Sequence, residues 1–307
     1  MNVRAASLRD LSQLERIYQN AGSQLSEQEP PAARLWSLLS QTLRALVPLA
    51  GETLIYVGES DAGVIGFIQA TAHPSAPVLQ VVNLCVVDGE NPERVAPPLV
   101  QHLTNRALER RVHRLFVRLP QPDPLTPIFR LQGFRQYATE FVLYSESPRP
   151  AGPGAPAGIR SARGGDLRRL YHLYRKVTPL GVAQLEAPSY GEWRALRRRS
   201  TGGEELVVDR VELTAWTRVE RGTGAAPSTL SFLVLPEAPL PEEMADFALG
   251  LLEAGQPAWS SLRHYDSLMI DALRGRGFSS LVTQSLLVKE LVVRVPVREK
   301  GLVPSFG

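Results

Sequence analysis

Few residues in this 307-residue chain combine a reactive side chain with a spacing that chemistry could use. The single cysteine, Cys85, cannot close an internal disulfide, and the five histidines follow no metal-ligand spacing, so no metal site is expected. There is no Gly-x-Ser-x-Gly elbow and no Gly-x-x-x-x-Gly-Lys phosphate loop, so serine esterase and nucleotide hydrolase chemistry has no motif. His264-Tyr265-Asp266 puts a base, a phenol and an acid side by side, yet side chains adjacent in sequence diverge. Packing, with an N-cap role for Asp266, is the plainer reading. Glu59 closes the strand Thr53–Glu59, where it could serve as a base or stand as a solvated strand end. Asn83 could orient a bound group but cannot abstract a proton. The arginines cluster as Arg106, Arg110, Arg111, Arg114 and as Arg194, Arg197, Arg198, Arg199, which solvated helix faces explain.

The elements that must hold these residues come in two similar sets. Val3-Arg4-Ala5-Ala6, followed by Asp10-Leu11 and periodic Leu14, Ile17 and Tyr18, reads as a strand, a cap and an amphipathic helix. Ile159-Arg160-Ser161-Ala162 with Asp166-Leu167, Leu170, Leu173 and Tyr174 reads identically. Both sets end alike, with Gly133-Phe134 and Gly277-Phe278 each preceding an alternating strand, to Tyr144 and to Val295. Between these ends the first set predicts a helix over Leu35 to Leu46, strands Thr53–Glu59, Val64–Thr71 and Val78–Val87, a helix Pro97–Arg110 and a strand Arg114–Leu119. The second predicts strands Glu205–Arg210, Val211–Glu220 and Thr229–Leu235, a helix Pro241 to Glu253 and a strand near Ala258–Leu262.

Pro148 to Gly158 is too rich in proline and glycine to continue a helix or a central strand. Its Gly152-x-Gly154 lacks the strand-turn-helix setting of a dinucleotide site. The expected organisation is therefore a domain at 1–147, a linker at 148–158 and a second copy at 159–307. Cutting the linker is expected to release two folded units. Each copy is α/β, a central mixed sheet flanked by helices. Hydrophobic residues make up 44% of the chain and charged residues 21%, enough apolar material for two cores. Net charge is +3, too small a surplus to make nucleic acid the default partner, and all but three of the 34 basic residues are arginine. No apolar run reaches membrane-spanning length and the first residues lack a signal-peptide core, so a cytoplasmic, non-membrane protein is expected.

The opening strand with its Asp-Leu helix, the hairpin ending Gly63-Val64-Ile65-Gly66, the strand Asn83-Leu84-Cys85-Val86 and the closing Gly-Phe resemble the GNAT acyltransferase superfamily, in tandem over nearly the whole chain. The resemblance implies two GNAT-like domains and transfer of an acetyl group from acetyl-CoA to a small-molecule or peptide amine. It leaves self-association open. In the family, the fourth strand holds the pantetheine where it splays from the fifth. A Gln/Arg-x-x-Gly-x-Gly/Ala loop then sets the pyrophosphate on a helix N-terminus, where free amides and the helix dipole attract an anion. Matching Val86 to the family's strand-end valine puts Asn91 on the Gln/Arg position, Arg94 on the first glycine and Ala96 on the last position. The cofactor residues implied are Cys85, Val86, Asn91, Arg94, Val95 and Ala96, with Glu59 and Asn83 as catalytic candidates. In the second copy, Pro236 to Glu243 contains no glycine, and Glu242 and Glu243 would repel a pyrophosphate, so the cofactor is expected in the first. Phe129 and Leu273 stand where many members place an acidic tyrosine, and Pro122 and Asp266 where an asparagine is common. The resemblance therefore also admits an inactive pair of domains acting as a binding or scaffold module.

Overall fold

The computed structural model describes residues 1–10, 12–14, 16–17, 53–61, 63–152, 154–197, 203–223, 226–237 and 240–291. The helix expected over Leu35 to Leu46, Leu11, Tyr18, Arg198, Arg199 and the strand end at Val295 lie outside these residues.

The first set of elements comprises β1 (Asn2–Ala5), β2 (Thr53–Ser60), β3 (Gly63–Ala72), β4 (Val78–Val86), α1 (Pro92–Glu109), β5 (Arg114–Pro120), α2 (Thr126–Leu131) and β6 (Arg135–Ser145). The second comprises β7 (Ile159–Ser161), α3 (Leu167–Val177), α4 (Leu180–Glu186), α5 (Tyr190–Leu196), β8 (Glu204–Asp209), β9 (Leu213–Glu220), β10 (Ser228–Val234), α6 (Leu240–Gly250), β11 (Ala258–Arg263), α7 (Ser267–Arg274) and β12 (Ser279–Glu290). Antiparallel meanders run through β1 to β4 and β7 to β10, and each set has one parallel pair, β4 with β5 and β10 with β11.

The two sets do not close separately. They form one 12-stranded sheet in the order β1-β2-β3-β4-β5-β12-β6-β11-β10-β9-β8-β7. The last strand of the second set, β12, lies antiparallel to β5 of the first, with Glu290 opposite Arg114 and Gln284 opposite Pro120. The last strand of the first set, β6, lies antiparallel to β11, with Ser145 opposite Ala258 and Glu140 opposite Arg263. Side chains follow the exchange: Leu287 of β12 packs in the core beneath α1, and Leu143 of β6 packs in the core beneath α6 and α7.

Helix α1 begins five residues before the expected Pro97. Asn91 caps it, its side chain accepting from the Glu93 amide at 2.9 Å, and Pro92 takes the first helical position, where a missing N–H costs nothing. Pro97 and Pro98 therefore lie inside the helix and deprive the carbonyls of exposed Glu93 and Arg94 of their usual donors. The helix persists because Val95, Leu99, Leu103 and Ala107 repeat at four-residue spacing and bury one face on the sheet.

The exchange removes the basis for independent release, because each half would lose its neighbour's closing strand and expose apolar side chains. A protease site built into 150–158 and cut should leave one particle near 33.7 kDa on size exclusion in native buffer. Two separate folded particles would show that each half can close its own sheet.

Candidate functional site

Strands β4 and β5 pair only from Val78 to Val81 against Arg114 to Val117. Beyond that point they splay. From Asn83 to Val86, β4 keeps its β3 partners Gln69, Ile68, Phe67 and Gly66, and no described strand pairs its other edge. These residues are all partly exposed, so the edge offers main-chain donors and acceptors to an extended ligand. Gly66 permits the approach of three elements here, since a Cβ at that position would lie 2.8 Å from the Cys85 carbonyl oxygen and 2.9 Å from Val95 Cγ1. Cys85 and Val86 therefore stand at the splay, and Asn83 stands there with its amide donating to Gln69 Oε1 at 2.7 Å.

The other implied cofactor residues form the first turns of α1 rather than a loop. The amides of Arg94 and Val95 both donate to the Asn91 carbonyl, at 3.0 and 3.1 Å, while that of Glu93 is held by the Asn91 side chain. Pro92, Pro97 and Pro98 have no N–H. The amides of the first turn of α1 are consequently held by Asn91 and not free to cradle an anion. Val95 and Ala96 are 0% exposed, against the sheet. Arg94 is the exception: its side chain is 75% exposed and reaches Glu90 at 3.4 Å.

The second half splays in the same way. Ser228 to Leu230 pair with Ala258 to Ser260, after which β10 runs on to Val234. Here the gap is filled by Phe232, Val234, Pro236, Pro241, Leu262 and Met269, leaving about 40 Å³. That is close to the volume of a single water molecule. Glu242 and Glu243 sit in the first turn of α6, as their position in the sequence implied.

Glu59, a candidate base, is bound into a clasp. Arg4 donates to both oxygens of Asp10, at 2.8 and 2.9 Å, and through Nε to Glu59 at 3.0 Å. Arg160 repeats the arrangement on Asp166, at 2.8 and 2.9 Å, and on Asp209 at 2.9 Å. In both clasps the carboxylate six residues after the arginine also accepts a backbone amide, from Ser7 and from Arg163. Arg4 holds Asp10 and Glu59, Arg160 holds Asp166, and Arg169 together with Arg160 holds Asp209, below the ordinary carboxylate range. A carboxylate held this way is a poor base, and the repeat marks it as architecture. Phe129 and Leu273 are both fully buried.

His264, Tyr265 and Asp266 diverge as expected. His264 Nδ1 accepts from the Thr139 amide at 3.3 Å, Tyr265 is partly buried, and Asp266 accepts from the Arg263 amide at 3.0 Å rather than capping α7. Burial pushes the Asp266 carboxyl up to about 6.

An unexpected polar cluster lies where β5, β6 and β11 meet α4. Arg263 donates to Glu140 at 2.8 Å and to Glu186 at 3.0 Å, and the Tyr137 hydroxyl donates to Glu186 at 3.1 Å. Arg118 approaches Glu140 at 3.4 Å. Arg114, read as part of a solvated helix face, instead opens β5 and is buried on the Leu185 carbonyl and Glu192. The available signal was parity: Glu140 falls between Ala138 and Val142 on the face of β6 that is buried, and Tyr137 is the extra residue at a bulge.

No family model and no curated protein matches this sequence. Solved structures do match its fold. A GCN5-related N-acetyltransferase from Sphaerobacter thermophilus is 16% identical with a TM-score of 0.57, covering 94% of this chain and 95% of that one. A tandem GNAT protein from the clavulanic acid biosynthesis pathway is 15% identical with a TM-score of 0.54, covering 94% and 98%. A putative acetyltransferase from Pyrococcus horikoshii is 12% identical with a TM-score of 0.53, covering 95% and 90%. The chain thus has the GNAT fold, as its sequence pattern implied, over nearly its full length.

Asp266 yields a test of the second half's closed wedge. The fold favours its neutral form, so its contribution is fully present below its ordinary value of 3.8 and is lost as pH rises through about 6. Asp266→Asn, neutral throughout, should therefore raise Tm relative to the native chain at pH 7 and show no such gain at pH 4. Calorimetric scans at the two pH values check this; a gain equal at both would mean that the carboxyl's ionisation is not responsible.

Proposed function

We propose that the protein is an acyl-CoA-dependent N-acyltransferase, transferring acetyl from acetyl-CoA to an amine on a small molecule or peptide. The units are 1–147 and 159–307, joined by the 148–158 linker, and the cofactor sits in the first. One observation carries this reading: the splay of β4 from β5 beyond Val81, with no described strand set beside β4 from Asn83 to Val86. The amide-containing arm of acyl-CoA can add to that edge as an extra strand does, and the second half's equivalent gap is filled.

Acyl-CoA would supply the activated thioester. The chain's own residues bind and orient. The β4 edge would fix the arm along Asn83 to Val86, with Cys85 and Val86 beside it. Asn83, itself held by Gln69, would position the acceptor amine at the splay. Holding two reactants in line can supply several kcal/mol of the barrier, roughly 7 to 11 in well-oriented cases, without a strong acid or base. At the diphosphate end, the capped amides of α1 leave the work to Arg94, whose exposed guanidinium can give up weak, solvent-screened Glu90 for a diphosphate. No helix among the described residues is long and apolar enough to cross a membrane, and a cytoplasmic setting suits a chain that draws on acyl-CoA.

A second reading has its own observation. Asn91 satisfies the amides that the family leaves free, and this favours a pair of inactive domains serving as a binding or scaffold module.

Calorimetric titration of the full chain with acetyl-CoA separates the two. Under the transferase reading it binds, and Arg94→Ala weakens it about tenfold, since a charge-assisted hydrogen bond contributes ~1.5–3 kcal/mol and ~1.4 kcal/mol is a factor of ten. No binding by the native chain, with binding gained in Arg94→Gly, would establish the scaffold reading.

A further inference from the structure

The outer face of α3 carries positive charge that the fold leaves without a counter-charge. The helix buries Leu170, Leu173 and Tyr174, and its remaining residues include Arg168, Arg169, His172, Arg175 and Lys176 with no acid. Arg168, His172 and Arg175 recur at i, i+4 and i+7, so they share one stripe opposite the buried side. Arg169 and Lys176 flank it and are paired with Asp209 and Glu212. The acids of the elements packed against α3 are paired as well: Glu220 of β9 with Arg218, Glu192 of α5 with Arg114, and Asp166 of the turn Gly164–Asp166 with Arg160. β10 has no acid. Arg168 and Arg175 therefore have no carboxylate partner among the described residues, and neither does exposed Arg194 of α5.

Aromatic rings lie among these cations. The Arg168 guanidinium stands 5.1 Å over the Tyr190 ring, Tyr171 meets Tyr190 edge-on at 5.6 Å, and Arg194 follows Tyr190 by one turn of α5. Tyr171 and Tyr190 are partly exposed, while Arg168, His172 and Arg194 are exposed. Arg168 and Arg175 are separated by about 10 Å along the helix axis, which suits successive charges on one strand better than a single anion. The chain's net charge of +3 is small because acids elsewhere offset its arginines; on this face they do not.

We propose that this face of α3 and α5 is a docking surface for single-stranded nucleic acid. Arg168, Arg175 and Arg194 contact phosphates, and bases stack on the planar Arg168 guanidinium and on the Tyr171 ring. An acidic peptide would use the cations and leave the rings idle. A bilayer would ask for aliphatic side chains among the cations, and the leucines at the centre of α3 point inward, Leu170 and Leu173 being 1% exposed. The surface lies in the second half and draws on none of the residues proposed to hold acyl-CoA, so it does not depend on acyl transfer.

Fluorescence anisotropy of a labelled, uridine-rich oligoribonucleotide of about twelve nucleotides, titrated with the full chain, tests this. The strand should bind saturably at low salt and severalfold more tightly than an abasic strand of equal length, which keeps the phosphates and lacks the bases. Combining Arg168→Ala, Arg175→Ala and Arg194→Ala should weaken binding at least tenfold. It should also lower the slope of log affinity against log salt by about 2, at ~0.7 per single-strand phosphate contact. Combining Arg9→Ala, Arg130→Ala and Arg149→Ala removes the same charge from exposed positions elsewhere and should change affinity little. Absence of saturable binding, equal losses in the two triple variants, or equal affinity for the abasic strand would each overturn the proposal. So would binding to phosphatidylserine vesicles without binding to the strand. The abasic comparison uses the native chain, so it decides the matter even where a variant fails to fold.

Discussion

The antiparallel pairing of β6 with β12 is the contact on which the rest of the molecule depends. Each of these strands ends its own half, yet each also supplies the edge that the other half's sheet lacks. Main-chain groups at β5 and β11 would otherwise face an open edge, which is an invitation to mispairing. With the exchange, the edges of the sheet among the described residues are β1 and β7, four and three residues long. The same pairing decides which side chains meet. Tyr137 and Glu140 belong to the first half by sequence, but through β6 they face α4 and Arg263 of the second. A buried ionic cluster of this kind contributes little net stability, because desolvation offsets attraction. Its consequence is geometric: Glu186 of α4 is held in a fixed orientation by one donor from each half, Tyr137 and Arg263.

Local devices, repeated in both halves, set the remaining geometry. The clasp of an arginine on the first strand of each half, an aspartate six residues later and an acid at the end of the second strand ties the two outer corners of the sheet. At the other end, Gly133 and Gly277 take φ of +85° and +88°, a conformation that disfavours side chains. The amides of Phe134 and Phe278 then bond back to the carbonyls of Phe129 and Leu273, at 3.0 and 3.2 Å, and turn the chain into β6 and β12. The Gly-Phe turns, and the arginine and aspartate six residues apart, were legible in the sequence because they are residue types at short, fixed spacing; the distant acid that completes each clasp was not.

The exchange was not legible, and the reason is physical. Alternating side chains show which face of a strand is buried, but the pattern does not name the strand beside it. β6 and β12 would read the same whether paired within a half or across it. The start of α1 failed for a different reason. Two proline signals competed, and Pro97-Pro98 resembles a helix start as well as Pro92 does; the Asn91 side chain decided between them. Glu59 was a matter of partners, since an acid at a strand end reads as free until Arg4 is seen to reach it from β1.

The two halves then differ most where an anion or a thioester would approach. Both keep the splay after the parallel pair, because it follows from strands that diverge with the sheet's twist. In the first half no described strand lies beside β4 from Asn83 to Val86, and Asn91 holds the amides of Glu93, Arg94 and Val95, leaving Arg94 as an exposed cation at that end. In the second half Phe232, Pro236 and Met269 fill the gap, and apolar volume there is worth more to the fold than an empty cleft would be. Elsewhere in this half Trp193, Trp216 and Tyr174 line an open cavity of about 260 Å³. The two halves thus present unlike features: a splayed strand edge in the first, and a filled splay beside an open, aromatic-lined cavity in the second. The β6–β12 exchange holds both within one continuous sheet, so neither can be deleted without disturbing the frame of the other.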